Sequence, residues 1–276
     1  MKISASSSSS SSMMKIYSRT RTRRITITNW LAAVVLFFAG GAVAETTNGL
    51  SDAEIQGRQL ARQLCEARPV ASFTNTGVLQ IRDANGKSIE KALKYGISVT
   101  DKSWQIFYEI LPGTNDTGVK LISIHENSAS NRYECIFTFK GNSERQWKKD
   151  NSEILATLPF AGSDFNIGDL GLEFFHWPVQ KVLPHTTTLK RGREYTLLES
   201  TNPNPTTNGY SRVVSWIDKE TGGILEAEAY DSTGKLLKDF APKSFKKVNG
   251  QWELQEMEIR NVQTGSRTRL EFDLPK

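Results

Sequence analysis

The side chains that could do acid–base or metal chemistry in this chain are few and far apart. The three histidines are His125, His176 and His185, and no two of them have the spacing of metal ligands. Asp164 and Asp169 could be a catalytic carboxylate pair, but helix capping and the helix dipole explain them better. The sequence therefore predicts no catalytic residue, no metal site and no cofactor.

The common nucleophile and phosphate-binding motifs are also absent from the sequence. It contains no G-x-S-x-G turn, and Gly162-Ser163-Asp164 is interpreted as the start of a helix. No glycine-rich phosphate loop lies beside a predicted strand. An enzyme is therefore the least favoured functional class.

The two cysteines, Cys65 and Cys135, are both predicted to face the interior. Cys135 alternates with aromatic residues along a strand, and Cys65 lies on the apolar face of a helix. Spacing in the sequence does not show that their Cα atoms are within reach of each other. A disulfide bond and two inert buried thiols therefore remain as alternatives.

Two groups of basic residues have two interpretations. Arg191 and Arg193 form one group, and Lys243, Lys246 and Lys247 form the other. Such groups are usually solvated faces of turns. In a lipid carrier they could instead meet anionic headgroups at the rim of a cavity.

The stretch that organises the chain is 158–178, LPFAGSDFNIGDLGLEFFHWP. A cap at Ser163 or Asp164, an apolar run and a stop at Pro178 predict one helix. At about 100° per residue its apolar side chains spread over roughly 240°, far wider than the stripe of a surface helix. These side chains are Phe165, Ile167, Leu170, Leu172, Phe174, Phe175 and Trp177.

A helix with so wide an apolar surface needs partners on more than one side. We expect it to be a lid that fills an apolar cavity when empty and lines it when a ligand is bound. Gly168 and Gly171 lower its helix propensity, which suits a segment that shifts. The alternative is a static core helix covered by neighbouring loops.

Strands are predicted on both sides of this helix. An N-terminal helix begins at the Ser51 cap, where Glu54 completes a capping box, and runs to about Ala67. A charged loop is predicted at 141–151. The predicted strands are 71–82, 88–100, 103–111, 118–125, 132–140, 182–190, 194–200, 212–218, 224–231, 236–245, 251–261 and 267–274.

So many short strands predict a mainly β fold, a curved antiparallel sheet with two helices against one face. Between 252 and 259 the apolar side chains change from even to odd positions, which indicates a bulge near Gln255-Glu256. Alternation along the strands predicts which side chains line the concave face as a ligand-binding wall. They are Trp104, Ile106, Tyr108, Tyr133, Phe137, Phe139, Val214 and Trp216.

Residues 1–44 are interpreted as a cleaved secretory signal peptide. Basic residues come first, an apolar core (Trp30–Phe38) follows, and an A-x-A site ends at Ala44. An uncleaved membrane anchor is the alternative, but the apolar run is shorter than the ~20 residues that span a bilayer. Met13 and Met14 are alternative positions at which translation could begin.

The predicted leader carries the basic charge of the chain. The whole chain has a net charge of +5, whereas residues 45–276 contain 29 Lys and Arg against 30 Asp and Glu. This balance argues against nucleic acid as a partner.

The C-terminal half resembles a known family. The stretches that carry the resemblance are YSRVVSWID at 210–218, TGGI at 221–224, AYDSTGK at 229–235, KKVNGQW at 246–252 and GSDF at 162–165. They resemble the LolA/LolB-like superfamily, in particular its branch of bacterial outer membrane lipoprotein-sorting proteins. From about Phe160 to the end the resemblance is close, and before that it lies only in the order of elements.

That resemblance implies an unclosed β-barrel with a lid over an apolar cavity that binds acyl chains of lipids or lipoproteins. Residues 45–276 are thus expected to form one LolA-like half-barrel domain, a monomeric periplasmic carrier for lipids or lipidated proteins. Envelope transport proteins are the other expected partners. The alternative is an envelope sensor or assembly factor that uses the half-barrel for protein contact without carrying lipid.

Overall fold

The computed structural model describes residues 49–112, 117–126, 129–139, 143–148, 152–248 and 251–274. The predicted signal peptide lies outside these ranges. The helices are α1 (Asp52–Glu66), α2 (Ser152–Ala156) and α3 (Ile167–Leu170), and 3-10 turns occupy Phe160–Gly162 and Glu173–His176. No helix within the described ranges is both long and apolar enough to cross a membrane.

Strands make up most of the described chain. They are β1 (Phe73–Arg82), β2 (Ser88–Val99), β3 (Ser103–Ile110), β4 (Gly118–Glu126), β5 (Arg132–Phe139), β6 (Ser143–Lys148), β7 (Val179–Leu183), β8 (Leu189–Lys190), β9 (Arg193–Thr201), β10 (Tyr210–Asp218), β11 (Ile224–Asp231), β12 (Leu236–Val248), β13 (Gln251–Asn261) and β14 (Arg267–Phe272). Thirteen of them follow one another side by side in one antiparallel sheet. Strand β8 lies outside this order and pairs with β9.

The sheet has the strand order β6-β5-β4-β3-β2-β1-β14-β13-β12-β11-β10-β9-β7. The pairing of β1 with β14 joins the first and last strands at its centre. Among the described strands, β6 and β7 each pair on one side only, so the sheet does not close. The predicted mainly β fold with an unclosed antiparallel sheet is confirmed.

One face of the sheet carries two hydrophobic clusters. The first cluster draws on β1–β5, β13 and β14, and the second on α1, β9, β10 and β11. Phe240 of β12 pairs with Ile259 of the first cluster and Ala227 of the second, so both clusters lie on the same face. We call this the covered face, because α1 and the segment 152–177 pack on it.

Helix α1 confirms its prediction from the sequence. Ser51 and Glu54 form the capping box, and the helix ends at Glu66 with Ala67 as C-cap. Gly57 lies so close to β7 that an added Cβ would stand 2.5 Å from the Lys181 backbone nitrogen. The small residue thus lets the helix touch the strand backbone directly.

The prediction of one continuous helix over the central stretch is wrong. Helix α3 ends at Leu170, and a separate 3-10 turn begins at Glu173. Between them Leu172 has a left-handed backbone with φ of 51°. This conformation costs about 1–2 kcal/mol for a non-glycine residue. The break allows one half of the segment to pack on the first cluster and the other half on the second.

Hydrogen bonds anchor the beginning of this segment to β14 and to Ser266, the residue just before it. The Asp164 carboxylate accepts from Ser266 Oγ at 2.6 Å and from Thr268 Oγ1 at 2.8 Å. The Asp164 N–H in turn donates to Thr268 Oγ1 at 2.9 Å. Asp164 therefore binds the sheet rather than capping a helix, contrary to its predicted role.

A buried polar cluster holds the segment from below. Asp169 accepts from the Asn166 N–H at 2.7 Å, as a capping residue does, and from the Tyr210 hydroxyl at 2.9 Å. Lys238 Nζ donates to the Asp164 carbonyl at 2.6 Å and to Asn166 Oδ1 at 3.0 Å. Burial raises the pKa of Asp169, although the positive charge of Lys238 opposes this rise.

The far end of the segment is held by Gln180. Its Nε2 donates to the carbonyls of Phe174 at 2.9 Å and Trp177 at 3.0 Å. Its Oε1 accepts from Ser200 Oγ at 2.7 Å. Hydrogen bonds therefore hold this segment at both ends in this conformation.

The predicted bulge in β13 is confirmed. Ser244 pairs with Glu256 and Phe245 with Leu254, so Gln255 has no partner of its own in the ladder. The extra residue restores the apolar parity of β13 on the covered face.

Two predicted elements, one strand and one loop, are wrong. The expected strand 182–190 is divided into β7 and β8, because Pro184 after Leu183 has no N–H for a ladder. The expected charged loop 141–151 contains β6.

Candidate ligand-binding site

The ligand-binding residues predicted on β3 and β5 lie on the covered face, and all of them except Phe139 are closely packed. Tyr108 and Tyr133 are only 1% and 2% exposed. Phe139, at the end of β5, is 38% exposed. The other predicted members pack in or against the first cluster, namely Trp104, Ile106 and Phe137.

The predicted residues of the central segment are packed as well. Phe165, Ile167 and Leu170 belong to the first cluster. Phe174 and Phe175 belong to the second, and Trp177 packs against it. Beneath the segment lies a cavity of about 20 Å³ lined by Asp169, Lys238 and Tyr210 among others. A cavity of this size holds about one water molecule.

The predicted orientation of Val214 and Trp216 is wrong. Val213 and Ile217 of the same strand belong to the second cluster, so the intervening even-numbered residues point to the opposite face. There Lys190 Nζ lies 4.3 Å from the centre of the Trp216 ring. Strand β10 has apolar residues at both parities and a bulge after Tyr210, so alternation alone does not specify its face.

An open cavity of about 460 Å³ lies elsewhere, at the end of the sheet where β11 begins. Its walls come from Arg191 and Arg193, from the β10–β11 turn, from β12 (Pro242–Phe245) and from β13 (Trp252 and Leu254). Its volume falls within the roughly 300–1,000 Å³ of small-molecule sites. None of its lining residues belongs to the predicted ligand-binding set.

The cavity exists because β11 and β12 diverge. Their ladder ends at the pair Ala227–Phe240. Pro242, which follows on β12, has no N–H to donate, and the register shifts between Pro242 and Ser244. Strand β12 nevertheless stays paired with β13 as far as Val248. The cavity occupies the gap that β11 leaves.

The floor of the cavity continues the covered face beyond its helical cover. Leu254 belongs to the first cluster, and its cross-strand partner Phe245 points the same way. Trp252 lies two residues before Leu254 and shares its side of the strand. Phe245 and Trp252 are 43% and 37% exposed. Neighbouring exposed aromatic side chains of this kind are a surface on which an apolar ligand gains contact.

Charged side chains surround this apolar floor. Arg193 pairs with Asp218 and with Glu220, whose Oε2 is 3.1 Å from Nη2. Lys243 Nζ lies 2.8 Å from Glu258 Oε1. Arg191 Nη1 donates to the Pro242 carbonyl at 2.8 Å. The cations of the rim therefore differ in the distance to their polar or charged partners.

The structure also brings together a serine and a histidine. Ser123 Oγ lies 3.1 Å from His125 Nε2, and the His125 ring stacks on Trp104 with 3.7 Å between centroids. Ser123 is fully buried, and Gly171 packs so closely that an added Cβ would stand 3.0 Å from Ser123 Oγ. The pair is closed to substrate in this conformation, so its arrangement is that of a buried core contact.

The two cysteines are free thiols in different places, so the disulfide alternative is wrong. Cys135 belongs to the first cluster, whereas Cys65 packs against the second. Burial raises the pKa of Cys65 to about 12 and that of Cys135 to about 11. Thiols that resist ionisation are poor nucleophiles.

Within the part of the chain that the structure describes, no group of three or more His, Cys, Asp and Glu residues could hold a metal ion. The site that emerges is an apolar cavity with a charged rim. Pro242 inside β12 and the parity shift of β13 are the sequence signals that could have located it, because both interrupt a regular ladder.

Three solved structures have a similar fold. An outer membrane lipoprotein-sorting protein domain from Vibrio parahaemolyticus matches with a TM-score of 0.64 and 20% identity over 80% of this chain and 92% of that one. A DUF1329 family protein from Desulfovibrio piger matches with a TM-score of 0.63 and 18% identity over 81% and 92%. A LolA superfamily protein from Nitrosomonas europaea matches with a TM-score of 0.52 and 15% identity over 82% and 96%.

At the sequence level, a family model described as an uncharacterised protein matches residues 152–276. No curated protein matches the chain. The structural matches span the N-terminal half as well, where the sequence resembles the superfamily only in its order of elements. The resemblance to the LolA-like superfamily is thus confirmed at the level of fold, and this chain has the fold of the outer membrane lipoprotein-sorting domains.

Proposed function

We propose that this protein is a non-catalytic periplasmic carrier that binds an apolar chain of a lipid or lipidated protein in the cavity between β11 and β12. The observation that carries the proposal is the open 460 Å³ cavity, whose floor includes Phe245 and Trp252. This site replaces the predicted wall on β3 and β5, whose tyrosines have almost no exposed surface.

The physical basis of binding is the hydrophobic effect. Each methylene group that leaves water contributes ~0.8 kcal/mol, so an alkyl chain on this floor gains free energy along its length. The two aromatic rings are partly exposed to water in the empty protein. A bound chain would cover them as well.

The predicted leader and the sorting-type fold support a location in the periplasm. The lipoprotein-sorting name of one structural relative supports a lipid or lipidated protein as cargo, with envelope transport proteins as further partners. The near-neutral charge of residues 45–276 is consistent with the absence of nucleic acid from this list.

The first experiment is native mass spectrometry of the purified protein, followed by lipid extraction. We expect copurified acyl chains. A titration of wild type and variants with a fluorescent fatty acid then tests where the chain binds. Phe245→Ala should raise the Kd of this probe about tenfold, equivalent to ~1.4 kcal/mol.

The matched control is Phe139→Ala. Phe139 is the same residue type with similar exposure, 38% against 43%, but it lies on β5 instead of in the cavity. Its substitution should leave the Kd unchanged. If Phe139→Ala lost binding and Phe245→Ala did not, the ligand would bind at the predicted wall on β5 instead of in the cavity. A protein that carries no lipid and binds no probe would favour a role in protein contact.

A further inference from the structure

We infer that the ligand of this cavity has a single anionic headgroup, a carboxylate or a phosphate, and that Arg191 binds it. The inference rests on the proposed function and adds the chemical class of the ligand. Its basis is the unequal pairing of the cations around the cavity.

Two of the three cations that line the cavity have close carboxylate partners. Arg193 is paired with Asp218 and with Glu220. Lys243 lies 2.8 Å from Glu258, which is also 3.0 Å from Arg269 Nη2. The charges of Arg193 and Lys243 are therefore largely balanced before any ligand binds.

Arg191 differs from both. Among the described residues, its nearest carboxylate partner is Glu226, whose Oε2 is 3.9 Å from Arg191 Nη2. Glu226 lies closer to Lys190, with 3.0 Å between Oε1 and Nζ. Arg191 thus has the least compensated positive charge of the cavity lining, and its side chain is 45% exposed.

The backbone and one hydrogen bond position this charge at the mouth of the cavity. Lys190 pairs with Arg193, which makes Arg191 and Gly192 the two central residues of a tight hairpin turn. Both have positive φ, 52° and 75°. Nη1 donates to the Pro242 carbonyl at 2.8 Å, which fixes the guanidinium beside the divergence of β11 and β12.

An uncompensated guanidinium next to an apolar floor complements an anionic amphiphile. Guanidinium groups bind carboxylates and phosphates through parallel N–H···O bonds, and Nη1 uses only part of this donor capacity on Pro242. The alkyl chain would then extend over Leu254, Phe245 and Trp252. A neutral headgroup would lose the charge interaction but keep the apolar contact.

The test uses three probes with the same oleoyl chain, namely oleate, lysophosphatidic acid and uncharged monoolein, below their critical micelle concentrations. We expect the wild-type protein to bind at least one anionic probe more tightly than monoolein. Arg191→Gln should weaken binding of that probe about tenfold and leave monoolein unchanged, whereas Arg191→Lys should keep most of the preference. The control is Arg82→Gln, an exposed arginine outside the cavity.

The outcomes separate this inference from the proposed function. Tighter binding of oleate identifies a carboxylate head, and tighter binding of lysophosphatidic acid a phosphate head. Equal wild-type affinities for all three probes, or an equal loss for all three in Arg191→Gln, would overturn the headgroup inference alone. Failure of all three probes to bind would overturn both.

Discussion

At the scale of single residues, His125 illustrates how burial decides chemistry. Its ring is stacked on Trp104 and is 8% exposed. Burial, reinforced by the nearby His176, lowers the pKa of His125 to about 3. The imidazole is therefore neutral in the folded protein across physiological pH. Because the folded protein keeps this imidazole neutral, the histidine costs stability once the pH is low enough for the unfolded chain to protonate it.

This gives a prediction for stability against pH. The unfolded pKa is near 6.5 and the folded pKa is lower, so the contribution is complete above about pH 6.5 and declines as pH falls toward 3. Between pH 7.5 and 5, His125 should cost about 2 kcal/mol of unfolding free energy. Urea unfolding at both pH values should show this loss in the wild type and a smaller one in His125→Gln. Identical pH dependence in the two proteins would contradict the assignment.

At the scale of elements, the break in the central segment is the main departure from a simple helix. The segment crosses from one hydrophobic cluster to the other, and Gly171 lies at the crossing. The Gly171 carbonyl accepts from Asn131 Nδ2 at 2.7 Å. A Cβ on Gly171 would overlap the Tyr133 hydroxyl and stand 2.8 Å from Tyr133 Cε1. Glycine is needed there for close approach, since its φ of −102° suits other residues too.

Two glycine variants test this packing. Gly171→Ala should destabilise the protein by about 1–3 kcal/mol through overpacking against Tyr133. Gly168→Ala should cost less, because its Cβ would meet Ala156 at 3.1 Å and alanine gains about 1 kcal/mol of helix propensity. Denaturant unfolding of both variants measures the difference. Equal stabilities would mean that Tyr133 can move aside.

At the scale of the whole molecule, one sheet does two tasks. Its centre carries the two clusters under α1 and the central segment. Near the beginning of β11 the sheet opens, and the covered face is left without helices over Phe245 and Trp252. A single unclosed sheet can thus hold a stable core in one part and an open apolar cavity in another.

The predicted leader adds a whole-molecule expectation. If residues 1–44 are removed on export, the protein recovered from the periplasm should begin at Glu45. N-terminal sequencing and intact mass measure this directly. Recovery of most of the protein with Met1, Met13 or Met14 at its N-terminus would refute cleavage after Ala44.

The sequence by itself determined the features that depend on neighbours in the chain. Period-two alternation predicted the strands and the inward face of β3, because side chains of a strand alternate whatever lies beyond it. The capping box at Ser51 and Glu54 predicted α1, since all its atoms lie within one turn. The parity change near Gln255 likewise predicted the bulge.

Tertiary structure decided the features that depend on distant partners. Leu172 breaks the central helix because two separate clusters compete for its two halves. Val214 faces away from the clusters because pairing with β9 and β11 chose between two apolar parities. The cavity arises where β11 leaves β12 near Pro242, and its wall includes Arg191 from a turn 51 residues away. No local pattern contains such distances, so only the folded sheet determines where the cavity lies.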